Sequence, residues 1–392
     1  MAKSSISSLQ DLFLLDPNII FLNHGSFGAC PRSVFEVYQA WQRELELQPV
    51  EFLGRQAPKL LAHARKCLAN YLGVLADEIV YFTNPTTAIN MVARSIGLKP
   101  GDEILATDHE YGAMDRIWRF ICRQAGATYI RQPIPLPVTT QEDFVDNLFR
   151  DVNERTRAIF ISHITSSTAL IFPVEEICKR ARRQGILSIV DGAHAPGQIP
   201  LDLKAVEADI YTGACHKWLM APKGSAFLYA RPEVQSWLMP LVVSWGYESD
   251  YPSDSQFIDY HEWQGTRDFA AFLTVPAAIE FQFQHDWANV RHDCHILACD
   301  TRQKINAITG LEPVCPDDEQ SRDARPWFNQ MFTAQLPAKV DLDQFKKRLY
   351  DEYRIEAPVI SWNGLKLIRI SIQGYNSQSD VDALIEALPR LL

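Results

Sequence analysis

The sequence predicts an α/β fold, with a large domain built on a mostly parallel β-sheet and a second, smaller α+β domain. Three observations support this prediction. Short apolar runs alternate with helix-like segments through most of the first two thirds of the chain. The 392 residues exceed what one ordinary hydrophobic core organises. Chemically active side chains follow the ends of the apolar runs, where open parallel sheets bind ligands. We therefore assign residues 17–284 to the large domain, and residues 1–16 plus 285–392 to the small one.

The first predicted elements are a short strand and two helices. Residues 18–27 (NIIFLNHGSF) have the pattern of a strand that runs into a turn at Gly25. Residues 32–47 carry apolar side chains at helical spacing, and Pro31 suits the first turn of that helix. Residues 60–72 form a second amphipathic pattern. We expect these helices to lead into the sheet.

Strands and helices then alternate, and this part of the chain carries the sheet. Strands are predicted at residues 79–82, 103–106, 157–162, 186–190, 209–212 and 225–230. Helices are predicted within residues 83–97, after Asp108, and at residues 174–184. From residue 285 the pattern changes to helix, strand, helix, strand, helix, without the regular rhythm. This change is the reason for a separate small domain.

Composition restricts the classes of partner. A net charge of −10 and no run of five like charges argue against nucleic-acid binding. The N-terminal segment is polar, and its short apolar run is broken by Asp11 and Asp16, so it predicts neither a signal peptide nor a spanning helix. Eight cysteines without a CxxC pair indicate reduced thiols. We expect a cytoplasmic protein that binds neither nucleic acid nor membrane.

One group of residues raises the question of a metal site. His292, Cys294, His295 and Cys299 lie close together in sequence. Their spacing fits no standard zinc pattern, and a helix with ordinary side chains is the better explanation. The sequence therefore predicts no metal.

The segment from residue 186 to residue 228 is the most informative one. A buried-strand pattern ends at Asp191, and Lys217 follows between two apolar runs. This combination predicts pyridoxal phosphate (PLP), because a lysine holds the cofactor aldehyde as a Schiff base and an acid keeps the pyridine nitrogen protonated. A lysine among apolar residues is costly unless it is paired or reacting. The alternatives are a surface lysine beside a strand and a turn-capping role for Asp191.

Other strand ends supply further candidates for the same site. His194 could bond the cofactor's phenolic oxygen or be a structural histidine. Thr86 and Thr87, where a strand passes into a helix, could bind the phosphate or only cap the helix. Tyr111 could stack on the pyridine ring or simply pack, and His216 could line the pocket.

Eight motifs, in order along the chain, resemble the class-V aminotransferase family of fold-type-I PLP enzymes. They are LNHGSFG (22–28), TNPTTAIN (83–90), DHEYGA (108–113), VDGAHAPG (190–197), CHKWLMAPKG (215–224), WQGTRD (263–268), RIEAPV (354–359) and IRISIQGYN (368–376). The subgroup that they resemble most contains isopenicillin N epimerase. The resemblance therefore implies a PLP-dependent enzyme with an amino-acid substrate.

The resemblance also implies a role for each site residue. Lys217 would be the Schiff-base lysine, with Asp191 at the ring nitrogen and His194 at the phenolic oxygen. Arg369 would clamp the substrate carboxylate through a bidentate pair. The remaining residues would bind phosphate, stack on the ring, or lie near the substrate: Thr86 and Thr87 for phosphate, Tyr111 for stacking, and Asn23, His24 and Ser26 for the substrate. Thr266 would reach the phosphate of a neighbouring subunit, which implies a homodimer with shared active sites.

Two departures from the family pattern limit the reaction. Many desulfurases have a serine where this chain has Ala214, which leaves one phosphate contact unassigned. Desulfurases also need a nucleophilic cysteine ahead of the carboxylate-binding arginine, and no cysteine lies between Cys315 and Arg369. Cys215 is not at the family's position. Persulfide-forming desulfuration is therefore not expected.

Epimerase-like chemistry is the first functional hypothesis, with Lys217 removing the α-proton of an amino acid. The alternatives are a carbon–sulfur lyase acting on cysteine or cystine derivatives, an aminotransferase, and a PLP-binding scaffold or sensor without turnover. A dehydrogenase or small-molecule kinase is not supported, because the chain has no GxGxxG or GxxxxGK[ST] run.

Overall fold

The structure is a computed structural model that describes residues 9–317 and 326–392. The predicted assignment of the first eight residues to the small domain lies outside these ranges. The predicted boundary between residues 284 and 285 stays a prediction.

Strands occur throughout the described part of the chain. They are β1 (Ile20–Phe21), β2 (Ile79–Phe82), β3 (Glu103–Thr107), β4 (Thr128–Gln132), β5 (Thr156–Ser162), β6 (Leu187–Asp191), β7 (Ile210–Ala214), β8 (Ala226–Ala230), β9 (Met331–Leu336), β10 (Ile355–Glu356), β11 (Val359–Trp362) and β12 (Leu365–Ser371).

Helices separate most of these strands. They are α1 (His24–Phe27), α2 (Arg32–Leu47), α3 (Pro49–Glu51), α4 (Ala57–Leu72), α5 (Pro85–Ser95), α6 (Gly112–Ala125), α7 (Gln141–Phe149), α8 (Val174–Arg183), α9 (Leu203–Val206), α10 (Pro232–Gln235), α11 (Gln256–Glu262), α12 (Ala270–Leu273), α13 (Val275–Gln284), α14 (Trp287–Thr309), α15 (Leu342–Tyr353) and α16 (Gln378–Leu391).

The central sheet has seven strands in the order β2-β8-β7-β6-β5-β3-β4. From β7 to β4 every neighbouring pair is parallel, whereas β8 is antiparallel to both β2 and β7. The predicted mostly parallel sheet is therefore confirmed. Because β8 alone is reversed, the other six strands present their carboxyl ends at one edge of the sheet.

The apolar character of the strands explains why this sheet is central. Every residue of β2, β3, β7 and β8 is buried, as expected for strands covered by helices on both faces. By contrast, β4 lies at the edge of the sheet and only its last residue is buried. Neither β4 nor α7 was predicted. In the case of β4, the sequence lacks the continuous apolar run that marks a central strand.

The C-terminal part contains a three-stranded antiparallel sheet in the order β11-β12-β9. The predicted order of helix, strand, helix, strand, helix is wrong here, because three strands, not one, lie between α15 and α16. β1 pairs in parallel with β10, which joins the N-terminal segment to this C-terminal part. This pairing positions the loop that contains Asn23 beside β12.

The predicted strand and turn at residues 18–27 need correction. Only Ile20–Phe21 is a strand, and the short helix α1 replaces the turn at Gly25. Gly25 is required for close packing, since a Cβ there would lie 2.6 Å from the Met331 sulfur. The left-handed backbone occurs instead at Gly28, where φ is +70°. A Cβ on Gly28 would lie 2.1 Å from the carbonyl oxygen of His216.

None of the helices within residues 9–317 and 326–392 combines the length and apolarity needed to cross a bilayer.

Candidate active site

A cavity of about 150 Å³ opens at the carboxyl edge of the central sheet. It forms there because β6 ends in Asp191, Lys217 follows β7, and Tyr111 follows β3. Six residues predicted for the cofactor line it: Thr86, Tyr111, Asp191, His194, His216 and Lys217. The strand order thus brings together side chains that are far apart in sequence.

Lys217 is the half-buried cation that lines this cavity. Its Nζ lies 3.1 Å from His194 Nε2. Burial and the nearby Arg369 together lower the pKa of Lys217 to about 8, and Asp191 opposes the change. A substantial fraction of the amine is therefore uncharged near neutral pH, as a nucleophile or base requires.

Asp191 is buried, and its Oδ1 accepts a hydrogen bond from the Ala193 backbone N–H at 3.0 Å. Burial raises the pKa of this carboxyl group. A carboxylate in such a position needs a cationic partner, and the protonated ring nitrogen of PLP is one. The buried acid and the half-buried amine in one cavity therefore fit this cofactor.

The start of α5 suits the phosphate end of the cofactor. Asn84 caps the helix, since its Oδ1 accepts from the backbone N–H and the hydroxyl of Thr87, at 2.8 and 3.0 Å. Pro85 occupies the first turn, where a missing N–H costs nothing. Thr86 lines the cavity, whereas Thr87 does not. Thr87 therefore takes part in the cap, and of the two threonines only Thr86 lines the cavity; their phosphate-binding roles stay predictions.

Tyr111 and His216 complete the walls of the cavity. Tyr111 precedes α6 and remains 48% exposed, so its ring is available to a ligand. His216 Nδ1 lies 3.0 Å from the Ser225 carbonyl oxygen, to which it donates. Burial lowers the pKa of His216 to about 4, so the ring is neutral and its Nε2 is left as an acceptor.

Arg369 lies just behind the cavity rather than in its lining. It donates to the Ser166 backbone oxygen at 2.7 Å and to the Ser26 hydroxyl at 2.9 Å, and both serines line the cavity. Burial lowers the pKa of Arg369 to about 10. No carboxylate in the described ranges forms an ion pair with it. A buried cation of this kind suits an anionic ligand.

A series of hydrogen bonds extends from Arg369 through Ser26 and Asn23 to Glu356. The Ser26 hydroxyl donates to Asn23 Oδ1 at 2.5 Å, and Asn23 Nδ2 donates to Glu356 Oε1 at 3.0 Å. Asn23 does not line the cavity. It therefore acts through Ser26, and of the two only Ser26 is placed to touch a substrate.

His24 does not line the cavity, and its predicted place near the substrate stays a prediction. His24 is fully buried beneath the lysine, with Nε2 3.0 Å from the Lys217 backbone oxygen and Nδ1 2.9 Å from the Tyr375 hydroxyl. Because a carbonyl oxygen only accepts, Nε2 donates and Nδ1 accepts. Burial lowers the pKa of His24 to about 3. We therefore assign His24 to holding the lysine loop.

Thr266 does not line the cavity of its own chain. It is exposed, in the loop between α11 and α12. Its role across a subunit interface stays a prediction.

Glu110 is a site residue that the sequence reasoning missed. Its carboxyl group is buried and accepts from the Thr107 hydroxyl at 2.6 Å and from the Ser162 backbone and hydroxyl at 2.9 and 2.6 Å. Burial raises its pKa to about 8. Ser162 lines the cavity, so its hydrogen bonds to Glu110 hold this part of the cavity wall in place. The sequence feature that could have identified Glu110 is its place beside Tyr111 in the DHEYGA motif.

Trp218 and Glu356 were also missed, although both lie in motifs that the sequence displays. The Trp218 side chain contacts His194, and the Glu356 side chain contacts Asn23. Neither residue lines the cavity. Only tertiary structure reveals such contacts.

The group around His295 is part of a helix. His295 Nε2 lies 3.6 Å from the Cys299 sulfur one turn along α14, and His295 Nδ1 lies 3.2 Å from the Asn329 backbone oxygen. In the ranges that the structure describes, no three His, Cys, Asp or Glu residues are grouped so that they could hold a metal.

Comparison with known proteins gives a consistent assignment. The aminotransferase class-V family matches residues 29–384. The chain is 37% identical to isopenicillin N epimerase of Amycolatopsis lactamdurans over the full length of both. It is 26% identical to a probable chloroplastic L-cysteine desulfhydrase of Arabidopsis thaliana, over 96% of this chain and 84% of that one.

Among solved structures, the cystine C–S lyase C-DES in complex with cysteine persulfide superimposes with a TM-score of 0.82 at 22% identity. The match covers 96% of this chain and 98% of that one. This likeness confirms the fold. With the cavity described above and a family match across most of the sequence, the chain belongs to the aminotransferase class-V family and is a PLP-dependent enzyme.

Proposed function

We propose that the enzyme acts at the α-carbon of an amino-acid substrate in an epimerase-like reaction, with Lys217 removing the α-proton. The observation that carries this proposal is a half-buried lysine, with its pKa lowered to about 8, in a cavity whose serines contact a buried arginine. Full-length similarity to isopenicillin N epimerase supports the epimerase branch.

Each side chain has a distinct task in this proposal. Bound PLP withdraws electrons from the α-carbon. Asp191 would keep a proton on the ring nitrogen, and the Lys217 amine would take the α-proton of the bound substrate. Arg369 draws the substrate carboxylate toward Ser26 and Ser166, which fixes the orientation of the α-carbon.

Epimerisation also needs a proton donor on the face opposite Lys217. His24 is unsuitable, because both of its ring nitrogens are engaged beneath the lysine. We propose that water supplies this proton, since the cavity is open beside the half-exposed Tyr111.

Exchange of the α-proton tests the proposal. Purified holoenzyme is incubated with a panel of L- and D-amino acids in D₂O, and deuterium incorporation and optical rotation are followed together. We expect incorporation with loss of optical activity for at least one substrate, and none with the Lys217→Ala variant. No exchange across the panel would contradict the proposal.

A carbon–sulfur lyase is the second candidate. It is favoured by similarity to the L-cysteine desulfhydrase and by the absence of a cysteine between Cys315 and Arg369, since elimination needs no cysteine nucleophile. Pyruvate with sulfide or persulfide from cysteine or cystine would support this candidate. No such product from any thio-amino acid would exclude it.

The remaining alternatives differ in their products. Transamination would release a 2-oxo acid and leave the cofactor as its amine. A scaffold or sensor would bind PLP and release no product from any amino acid. Retention of Lys217, Asp191 and Arg369 in one site argues against a scaffold.

We also propose a cytoplasmic homodimer. No disulfide bond links any of the eight cysteines, which suits a reducing compartment. Large apolar side chains remain exposed between α10 and α11, including Trp245 at 86% and Tyr251 at 93%, and such surfaces often mark subunit contacts.

A further inference from the structure

We propose that Trp218 is a positioning residue that fixes the proton of His194 on Nε2, so that His194 donates a hydrogen bond toward the cofactor linkage at Lys217. Two buried side chains and the half-buried Lys217 lie in series. The Trp218 indole Nε1 lies 3.3 Å from His194 Nδ1, and His194 Nε2 lies 3.1 Å from Lys217 Nζ. The inference rests on attachment of the cofactor at Lys217, as proposed above.

The direction of these hydrogen bonds follows from the donor inventory of each group. An indole N–H can donate but cannot accept. His194 Nδ1 must therefore accept from Trp218, so it carries no proton. A neutral imidazole with a bare Nδ1 holds its proton on Nε2. That proton points at Lys217 Nζ, which must accept it with a lone pair.

The protonation states of the two partners agree with this direction. Burial, reinforced by Lys217 and Arg369, holds the pKa of His194 well below its ordinary value, so the ring is neutral. Burial also lowers the pKa of Lys217 to about 8, which makes an uncharged, accepting amine accessible. The two hydrogen bonds can therefore form with His194 neutral and the Lys217 amine uncharged.

The indole is held so that it cannot turn away from His194. Trp218 is fully buried, and its backbone oxygen accepts from Gln282 Nε2 at 2.9 Å. Gly197, at φ +88°, lets the chain approach closely, since a Cβ there would lie 2.2 Å from the Trp218 oxygen. The indole also packs against His24, with ring centroids 4.8 Å apart. Loss of the acceptor would leave a buried N–H unsatisfied, which is costly.

The held proton has a consequence for the bound cofactor. PLP held at Lys217 would have its linking nitrogen next to the proton on His194 Nε2. A donor there would stabilise the negative charge of the cofactor's phenolic oxygen, most of all when the linking nitrogen had lost its own proton. His194 in this tautomer would therefore lower the pKa of the linking nitrogen, and Trp218 would maintain the tautomer.

A spectrophotometric pH titration of the holoenzyme tests the inference. Trp218→Phe keeps a buried ring and removes the N–H, so the pKa at which the visible absorbance titrates should rise by about one unit. Trp287→Phe is the matched control, because Trp287 is also buried and its indole N–H has no partner within the described residues. That variant should titrate like the wild type.

Two outcomes of the titration would overturn the inference: Trp218→Phe titrating like the wild type, or both variants shifting equally. A second measurement needs no variant of Trp218. Nitrogen NMR of the holoenzyme, with His194→Asn to assign the signal, should show the proton on Nε2. A proton on Nδ1 would overturn the inference even if Trp218→Phe failed to fold. Colourless wild-type protein would instead contradict the attachment at Lys217, and the nitrogen spectrum would still decide the tautomer.

Discussion

At the scale of single residues, burial sets the chemistry of the Lys217 amine. With a pKa of about 8, roughly a tenth of the amine is uncharged at pH 7, against about one part in three thousand for an ordinary lysine. The amine attacks the cofactor aldehyde only when it is uncharged. The site therefore prepares the lysine for capture of PLP before any substrate is present.

The rate at which the apoprotein takes up PLP should follow this pKa. Because the folded-state pKa is lowered, the reactive form increases as pH rises toward 8 and is nearly complete above it. We expect the rate to rise about tenfold per pH unit below pH 7 and to level off above about pH 9. Stopped-flow absorbance measures this rate. A rate still rising steeply at pH 10 would show a lysine of ordinary pKa and would contradict this assignment.

The series from Glu356 through Asn23 and Ser26 to Arg369 also acts at this scale. Glu356→Leu removes the acceptor of Asn23 Nδ2, so Ser26 and the guanidinium behind it lose their fixed orientation. A loss of about 1.4 kcal/mol would weaken amino-acid binding about tenfold. Glu356→Gln keeps an acceptor and should change binding by less than about threefold.

The readout is the apparent Kd of an amino acid that perturbs the visible spectrum, compared with that of its amide, which lacks the carboxylate. Weakening should be confined to the acid. Equal weakening of acid and amide would show that Glu356 has no part in orienting Arg369.

At the scale of elements, strand ends and glycine turns position the site. Gly28 closes α1 with a left-handed backbone and lies against the loop that carries Lys217, where a Cβ would lie 2.9 Å from the Lys217 oxygen. The lysine loop can approach α1 only because this position has no side chain.

Gly28→Ala should therefore destabilise the protein and lower its PLP content. Gly364→Ala is the matched control, since Gly364 has φ +82° but nothing within 4 Å of a Cβ. Both variants should lose about 1 kcal/mol to backbone strain, and Gly28→Ala about 1–3 kcal/mol more to the clash. Denaturant unfolding and bound PLP measure the difference. Equal effects in both variants would contradict the role of Gly28.

The sequence predicted the central strands because continuous apolar runs mark strands that are buried on both faces. It did not reveal β4, an exposed edge strand, or the reversal of β8, which periodicity alone does not encode. Lys217, Asp191 and His194 were found because they follow strand ends. The motif of His24 indicated only proximity to the site, whereas the folded structure shows that its ring lies beneath the lysine loop.

At the scale of the whole molecule, the prediction that remains open is the shared active site. Thr266 is exposed and lies outside its own cavity, so it can serve the cofactor only from a partner subunit. Sedimentation should show a dimer. Thr266→Ala should lose PLP more readily, whereas Thr139→Ala, which also changes an exposed threonine, should not. A monomeric holoenzyme, or equal retention of PLP in both variants, would contradict the shared site.

The central claim is that PLP is bound covalently to Lys217 in the cavity at the carboxyl edge of the sheet. Reduction of the yellow holoenzyme with borohydride, followed by peptide mapping by mass spectrometry, tests it most directly. The account predicts one phosphopyridoxyl group per chain, attached at Lys217. A label on another amine, or none on protein saturated with PLP, would contradict it.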